Sequence, residues 1–244
     1  MKNNNQKPDS ALYIVATPIG NLEDITFRAV RILKECNLIL SEDTRKTSIL
    51  LKHYDITTPQ KSYRIHKLEE DTNYALEMLK QGKTLALCTD AGTPGISDPG
   101  SYLVRSVRKN LPDLPVLPIP GASAMTAALS ISGFQANPSL FLGFLSPKSG
   151  KRRKVLTEFS NFDGSIIIFE SVHRIRRLTG DIIEIFPERD IFIAREITKF
   201  YEESIYISAG SRLPDDASPA DLIKEKGEFV VIISPFRKEK GTDS

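Results

Sequence analysis

Short apolar runs alternate with helix-like segments along the first half of this sequence, and this alternation limits the fold more than any other feature. Apolar runs of strand length occupy residues 12–16, 38–41, 84–88 and 116–119. The segments that follow them place apolar residues at helical spacing, which predicts helices at 26–35, 44–53, 69–81, 100–109 and 123–131. Repeated strand–helix units predict a mostly parallel sheet covered by helices.

The second half of the sequence has its strands closer together. We predict strands at 139–143, 165–169, 191–194, 203–207 and 228–233, and helices at 151–159, 175–186 and 219–224. The short connection between 191–194 and 203–207 indicates an antiparallel portion. A segment of Gly, Asn and Pro at 133–138 marks the expected boundary between an N-terminal domain (12–135) and a C-terminal domain (136–236). Polar segments at 1–11 and 237–244 are expected to be disordered tails.

Composition restricts the kinds of partner that the chain can bind. It has 244 residues, with 33 Lys plus Arg against 31 Asp plus Glu and a net charge of +2. A charge so close to zero gives no uniform attraction to nucleic acid, so polyanion binding requires local basic patches. Cys36 and Cys88 are too few for a zinc site, which predicts buried thiols, a reducing compartment and no metal centre. No apolar run is long enough to span a membrane, so we expect a soluble, cytoplasmic protein.

Three loops rich in Gly and Pro follow predicted strands, at residues 16–22, 89–100 and 118–124. In an open α/β sheet, ligands bind beyond the carboxyl ends of the strands, so these loops are expected to converge on one crevice. None of the loops carries a dinucleotide or P-loop nucleotide motif, and each taken alone is also typical of a tight turn. Asp90 in the second loop either binds a ligand or caps the turn that follows it.

A series of short motifs gives the sequence a family resemblance. They are Ala-Thr-Pro-Ile-Gly-Asn-Leu (16–22), Ser-Glu-Asp-Thr-Arg (41–45), Asp-Ala-Gly-Thr-Pro-Gly-Ile-Ser-Asp-Pro (90–99), Pro-Gly-Ala-Ser-Ala (120–124), Gly-Phe-Leu (143–145), Phe-Glu-Ser-Val-His-Arg (169–174), Ala-Arg-Glu-Ile-Thr-Lys (194–199) and Gly-Glu-Phe (227–229). Together they resemble the tetrapyrrole methylase superfamily, the class III S-adenosylmethionine methyltransferases. The motifs at 42–45, 169–174 and 194–199 resemble, more narrowly, its branch that methylates small-subunit ribosomal RNA.

The resemblance implies two α/β domains, the first with a mostly parallel sheet and the second with a mixed one, and S-adenosylmethionine folded in a cleft between them. It implies 2′-O-methylation of a cytidine in the decoding region of 16S ribosomal RNA, in the small ribosomal subunit, by a homodimer. By matched motif, the donor contacts Pro18, Asp90, Gly92, Thr93, Ile96, Ser123 and Ala124, and is closed in from the second domain by Phe169 and Glu170. The sequence departs from the family pattern at Val172, where proline is expected, and in the short chain after residue 233.

Two groups of polar residues are candidates for chemistry on a ribose hydroxyl, which is a weak nucleophile that a nearby base would help. Glu42, Asp43 and Arg45 lie at a strand-to-helix junction, where they either orient the ribose and take its proton or simply begin the helix. Glu196 and Lys199, with His173, form the second group. Lys199 either holds a phosphate or pairs with Glu196.

Clusters of basic residues supply the expected RNA contacts. The first cluster consists of Lys148, Lys151, Arg152, Arg153 and Lys154, and the second begins with His173 and Arg174. A third, at 61–67, adds Tyr63 for base stacking. Such patches can follow a phosphate backbone, although solvated helix faces have the same composition.

Two other functions remain open at the level of sequence. One is methylation of a tetrapyrrole macrocycle by the same fold, because precursor tetrapyrroles are also polyanions. The other is a non-catalytic RNA-binding assembly factor that keeps the donor pocket as a structural ligand site. The intact loop at 90–99 disfavours the second alternative.

Overall fold

The computed structural model describes residues 8–210 and 226–236 of the chain. The chain divides into two compact units between Ser123 and Ala124. This division falls earlier than the segment at 133–138, because helix α5 (Ala124–Ser132) packs against strand β10 (Glu228–Ile233) of the second sheet. No helix among the described residues is long and apolar enough to cross a membrane.

The first unit is built on a parallel sheet of five strands. They are β1 (Ala11–Val15), β2 (Leu38–Ser41), β3 (Gln60–Ser62), β4 (Thr84–Cys88) and β5 (Val116–Ile119), in the order β3-β2-β4-β1-β5. Every pairing in this sheet is parallel. Its helices are α1 (Phe27–Glu35), α2 (Thr44–His53), α3 (Leu68–Lys80) and α4 (Gly100–Asn110). The predicted mostly parallel first sheet is therefore confirmed.

Alternate side chains of the central strands pack into two apolar cores, one on each face of the sheet. Tyr13 of β1 and Ile39 of β2 join one core with α1, whereas Leu12 and Leu40 join the other with α3 and α4. Successive side chains of a strand point to opposite faces, so a strand that is buried on both faces needs an unbroken apolar run. This requirement explains why the sequence pattern predicts β1, β2 and β4.

The second unit contains a mixed sheet. Its strands are β6 (Ser139–Phe144), β7 (Ser165–Ser171), β8 (Ile191–Arg195), β9 (Glu203–Ile207) and β10, in the order β6-β7-β10-β8-β9. Strands β6 and β7 are parallel, whereas β10 pairs antiparallel with β7 and β8, and β9 antiparallel with β8. Helices α6 (Ser149–Glu158) and α7 (Ile175–Ile185) pack together. The predicted two α/β domains and antiparallel portion are confirmed.

The structure differs from the sequence prediction mainly at one strand. Strand β3 was not predicted, because its three residues are polar and lie at the edge of the sheet. Ala11 is buried and pairs with Thr84, so β1 begins one residue earlier than expected. Cys36 and Cys88 are buried thiols, as predicted. The helix predicted at 219–224 and the tail at 237–244 lie outside the described residues.

A buried ion pair joins α6 to α7. Arg152 is only 3% exposed, and its Nε and Nη2 each lie 2.6 Å from Oδ2 of Asp181. Arg153 donates from Nη1 to the other Asp181 oxygen at 2.8 Å and to Glu184 at 2.7 Å. Arg152 therefore belongs to the packing of the second unit, and its assignment to the exposed RNA surface is corrected.

We expect Arg152→Ala to destabilise the protein by about 3–5 kcal/mol, because it leaves the buried carboxylate of Asp181 without its main partner. The measurement is the free energy of unfolding from urea denaturation. Lys151→Ala, on an exposed position of the same helix, is the matched control and should change that free energy by less than about 0.5 kcal/mol. Equal effects of the two substitutions would contradict the assignment.

Candidate functional site

The loops after β1, β4 and β5 contact one another at the carboxyl edge of the first sheet. Thr17 and Gly92 form a two-way backbone bridge, with N···O distances of 2.9 and 3.1 Å. The Thr93 hydroxyl donates to the carbonyl of Ala122 at 3.2 Å, which joins the second loop to the third. The structure therefore brings the three loops together in one unit of the chain.

Two glycines are required where these loops approach each other. Gly92 is buried at φ +83°, a left-handed conformation that side chains disfavour. A Cβ on Gly121 would lie 3.0 Å from the Cβ of Ala16, closer than atoms of this kind normally pack. The absence of a side chain at these two positions lets the three loops pack closely against one another at the edge of the sheet.

Glu42, which follows β2, holds the second loop in place. Its Oε2 accepts a hydrogen bond from the Thr89 hydroxyl at 2.7 Å and one from the Asp90 N–H at 3.3 Å. The Thr17 hydroxyl donates to the Thr89 carbonyl at 3.2 Å. Glu42 is therefore a positioning residue for the loop that carries Asp90, and no sequence motif identified Thr89 as its partner.

Asp90 bonds to residues that follow β2 rather than to its own loop. Its Oδ1 accepts from the Asp43 N–H at 2.9 Å, and its Oδ2 lies 2.7 Å from Nζ of Lys46. Asp98 instead accepts the N–H bonds of Gly95 and Gly100, both at 2.8 Å. The capping role considered for Asp90 thus belongs to Asp98, and 24% of the Asp90 side chain remains exposed.

Lys46 is a site residue that sequence reasoning missed. It lies in the first turn of α2, just after the Ser-Glu-Asp-Thr-Arg motif, where its ammonium reaches Asp90 across the junction. The position of Lys46 was predictable in part, because a cation in the first turn of α2 lies next to the residues that follow the neighbouring strand of the sheet. Only the parallel pairing of β2 with β4 makes Asp90 that neighbour.

Asp43 begins α2 and is paired with Arg45. Its carboxylate accepts from the Arg45 N–H at 2.9 Å, and from Nε at 3.0 Å and Nη2 at 2.6 Å of the same side chain. These hydrogen bonds hold the pKa of Asp43 well below its usual range. A carboxylate with a depressed pKa is a poor proton acceptor at neutral pH. The helix-start interpretation of Asp43 is confirmed.

Glu196 and Lys199 form an ion pair in the second unit. The Lys199 ammonium lies 2.8 Å from a carboxylate oxygen of Glu196 and 2.8 Å from one of Glu228. Burial lowers the pKa of Lys199, but the two carboxylates outweigh it and the net shift is upward. Burial raises the pKa of Glu196, and the bonds from Lys199 and the Glu228 N–H reverse it to a net lowering. Lys199 therefore stays protonated, and the pairing interpretation is confirmed.

Phe169 and Glu170 lie at the end of β7. Glu170 is 1% exposed, and its Oε1 accepts from the Ser171 N–H at 2.7 Å and pairs with Nη2 of Arg174 at 2.6 Å. Its Oε2 is buried with no hydrogen-bond partner among residues 8–210 and 226–236. The Phe169 ring packs edge-on against Phe141, with centroids 4.9 Å apart. Both residues lie near the end of a strand of the second unit, and their contact with a donor stays a prediction.

The remaining candidates are placed in different environments. Lys148, Lys151 and His173 are exposed, whereas Arg174 is turned inward to Glu170. Pro18, Thr93, Ser123 and Ala124 are partly buried, and Ile96 is 47% exposed. Val172 packs against the apolar core of the second unit. Tyr63 is 1% exposed and bonds to Thr72 at 2.8 Å, so its proposed role in base stacking is wrong.

The pairing of Asp43 with Arg45 predicts a dependence of stability on pH. Because the pKa of Asp43 is lower in the folded chain than in the unfolded one, the pair contributes stability above the unfolded pKa of about 3.9 and loses it as the pH falls below. Asp43→Asn keeps a side chain that caps helices but removes the charge. The free energy of unfolding of the parent should therefore fall more than that of the variant between neutral and strongly acidic pH.

Urea denaturation at several pH values measures this difference. Asp113→Asn, at an exposed position of the same unit, is the control and should follow the parent. If the curves for the parent and Asp43→Asn stay parallel down to acidic pH, the pairing does not lower the pKa of Asp43.

Comparison with known proteins identifies relatives along almost the whole chain. The family described as Tetrapyrrole (Corrin/Porphyrin) Methylases matches residues 11–213. A Leptospira biflexa protein named Ribosomal RNA small subunit methyltransferase I is 46% identical over 229 residues, covering 93% of this chain and 92% of that protein. The protein of the same name from Thermotoga maritima is 40% identical, covering 91% and 97% of the two chains.

Solved structures share the fold at low sequence identity. The methyltransferase CobJ gives a TM-score of 0.67 at 17% identity, covering 93% of this chain and 94% of that one. Uroporphyrin-III C-methyl transferase from Thermus thermophilus, complexed with S-adenosyl homocysteine, gives 0.62 at 16% identity, covering 92% and 97%. By its sequence and its fold, the chain belongs to the tetrapyrrole methylase family, among the members named ribosomal RNA small subunit methyltransferase I.

Proposed function

We propose that this protein transfers the methyl group of S-adenosylmethionine to the ribose 2′-hydroxyl of a cytidine in the decoding region of 16S ribosomal RNA. The observation that carries the proposal is the sequence identity of 40–46% to proteins named ribosomal RNA small subunit methyltransferase I over more than nine-tenths of the chain. Solved structures of tetrapyrrole enzymes match at only 11–17% identity, which disfavours a macrocycle as the acceptor.

The carboxyl edge of the first sheet fits a methyl donor. Gly92 and Gly121 allow the three loops to pack closely there, and the partly exposed carboxylate of Asp90 can accept a further hydrogen bond from a ligand amine or hydroxyl. The ammonium of Lys46 and the N–H of Asp43 keep that carboxylate in one orientation. Donor contacts at Pro18, Thr93, Ile96, Ser123, Ala124, Phe169 and Glu170 remain predictions.

The methyl transfer depends more on the alignment of the reacting atoms than on acid–base catalysis. When bound, S-adenosylmethionine supplies a methyl group that its positive sulfur already activates. Transfer of that methyl group would form a carbon–oxygen bond to the hydroxyl, break the sulfur–carbon bond and release the hydroxyl proton to water. The low pKa of Asp43 and the raised pKa of Lys199 make both poor proton acceptors, so in this proposal the protein contributes chiefly by holding the reacting atoms in line.

Exposed lysines on α6 supply the contact with RNA. Lys148, Lys151 and Lys154 are all exposed around the first turns of this helix, whereas Arg152 and Arg153 are directed to Asp181. Several cations on one exposed surface give a local field for phosphates although the chain as a whole is nearly neutral. The small ribosomal subunit is the substrate in this proposal, the activity belongs in the cytoplasm, and the homodimer implied by the resemblance stays a prediction.

Small ribosomal subunits from a strain that lacks the modification, incubated with the protein and labelled donor, test the function. We expect label on a ribose of the 16S ribosomal RNA. We also expect Asp90→Ala to weaken donor binding by roughly tenfold or more, since it removes a charged hydrogen-bond acceptor. Calorimetric titration with S-adenosylhomocysteine measures this affinity.

Asp113→Ala removes an exposed carboxylate from the same unit and should leave both measurements unchanged. Label on a base, or only on an added uroporphyrin, would contradict the proposed acceptor. Donor binding without any transfer would favour the assembly-factor alternative. Unchanged affinity of Asp90→Ala would remove Asp90 from the donor site.

The lysine surface predicts a change in the salt dependence of RNA binding. Combined Ala substitution of Lys148, Lys151 and Lys154 should lower RNA affinity and reduce the slope of log K against log salt by roughly two to three units. A matched triple substitution of exposed Lys34, Lys52 and Lys109 removes the same charge from the other unit. Identical slopes for the two variants would show that the α6 surface has no special role.

A further inference from the structure

Two aromatic side chains stand exposed just after strand β8. Phe200 is 92% exposed and Tyr201 is 68% exposed. Their rings meet edge to face, with centroids 4.9 Å apart and planes at 89°. Large aromatic side chains usually bury most of their surface, so an exposed pair in mutual contact is a candidate binding surface.

The turn that carries this pair is held in a fixed and unfavourable backbone conformation. Glu196 and Thr198 have φ values of +52° and +66°, which residues other than glycine rarely adopt. Hydrogen bonds from the Thr198 N–H to Glu202 and from the Lys199 N–H to the Glu196 carbonyl stabilise the turn. A conformation of this kind persists only where its surroundings enforce it, so the aromatic pair is displayed by a rigid support.

A cavity of about 520 Å³ lies beside the pair, within the second unit. Its lining residues are Arg195, Phe200, Tyr201, Glu202, Glu203 and Lys226. The buried Arg195 guanidinium donates to Glu203 at 2.6 Å and to the Lys226 carbonyl at 2.7 Å, so it forms a fixed polar floor. This volume lies in the range of roughly 300–1,000 Å³ that small-molecule sites occupy.

The charges of the lining narrow the class of ligand. Among the lining residues that the structure describes, Arg195 and Lys226 balance the charges of Glu202 and Glu203, so the cavity does not favour a polyphosphate or a strongly charged peptide. Its aromatic faces and its mixed donors and acceptors instead suit a flat, neutral, polar ring. If RNA supplies this ring, the ring comes from an unpaired nucleotide, because a base in a double helix has both faces covered by its neighbours.

We propose that this cavity binds one unpaired base of the RNA substrate. The base stacks on the Phe200 ring with Tyr201 against its edge, and the Lys226 ammonium pairs with the adjoining phosphate. The assignment rests on the proposed function for its choice of RNA as the ligand. It adds a specificity site that lies wholly in the second unit and outside the candidate donor loops.

The chain contains no tryptophan, which allows a direct test. Phe200→Trp places a single indole on the cavity, and its fluorescence should be quenched saturably by a short single-stranded RNA. The same RNA paired with its complement should quench it far less at equal salt. Phe27→Trp is the matched control, because Phe27 is 98% exposed in the other unit and should show no saturable quenching.

Phe200→Ala extends the test to the reaction. Loss of one stacked base should raise KM for the small ribosomal subunit roughly tenfold while the affinity for S-adenosylhomocysteine stays unchanged. Phe27→Ala should match the parent. Equal quenching of the two tryptophan variants, or an unchanged KM in Phe200→Ala, overturns the proposal even where the parent methylates RNA normally.

Other outcomes separate this proposal from its alternatives. A change in sedimenting mass of Phe200→Ala without any change in RNA binding would assign the aromatic pair to an interface between copies of the chain, which also overturns the proposal. A parent that transfers no methyl group to RNA would defeat the proposed function. Saturable, single-strand-specific quenching at Phe200→Trp would still support the base pocket in that case.

Discussion

Parallel pairing of β1, β2, β4 and β5 is the constraint on which the arrangement of the first unit depends. Because all these strands run the same way, the chain leaves each of them at the same edge of the sheet. Strands β1, β2 and β4 are buried on both faces and have no room for polar chemistry. Polar residues and glycines therefore lie in the loops at that edge, where the polar groups form hydrogen bonds with one another.

Three carboxylates at this edge have separate tasks because each has different partners. Glu42 accepts bonds from a hydroxyl and a backbone amide, and so fixes the loop after β4. Asp43 is neutralised by Arg45 in the same turn. Asp90 is held by the N–H of one residue and the ammonium of another while part of its surface stays accessible. Of the three, Asp90 is the one best placed to contact a ligand.

The sequence predicted the elements whose composition reflects their burial. Strands β2, β4, β5, β9 and β10 begin and end where apolar patterning placed them, whereas the polar edge strand β3 gave no such signal. The basic run on α6 was harder to interpret, because composition alone does not distinguish a solvated lysine from a buried arginine. Helical period does distinguish them: Arg152 lies one turn before the fully buried Leu156, and so it faces the core.

Long-range partners could not be predicted, because they depend on which strands are neighbours. Asp90 meets Lys46 only because β4 lies beside β2. Arg152 meets Asp181 only because α6 packs on α7. A family motif shows which residue types occur together in the sequence, but not which of them form hydrogen bonds in the fold. Lys46 was therefore not predicted as a site residue, although it directly follows the motif at 41–45.

The Ala-Arg-Glu-Ile-Thr-Lys motif shows how one segment combines several physical requirements. Glu196 can occupy its left-handed position because its carboxylate accepts from the Glu228 N–H and pairs with Lys199. That arrangement leaves no space for a side chain at position 227, where Gly227 lies at φ +97° with the Glu196 side chain against it. Arg195, at the end of β8, donates a hydrogen bond to the Lys226 carbonyl and so fixes the segment that leads into β10. The motif and the glycine before β10 are thus one structural unit, and the exposed aromatic pair follows from it, because a turn held at both ends cannot fold Phe200 and Tyr201 back onto the core.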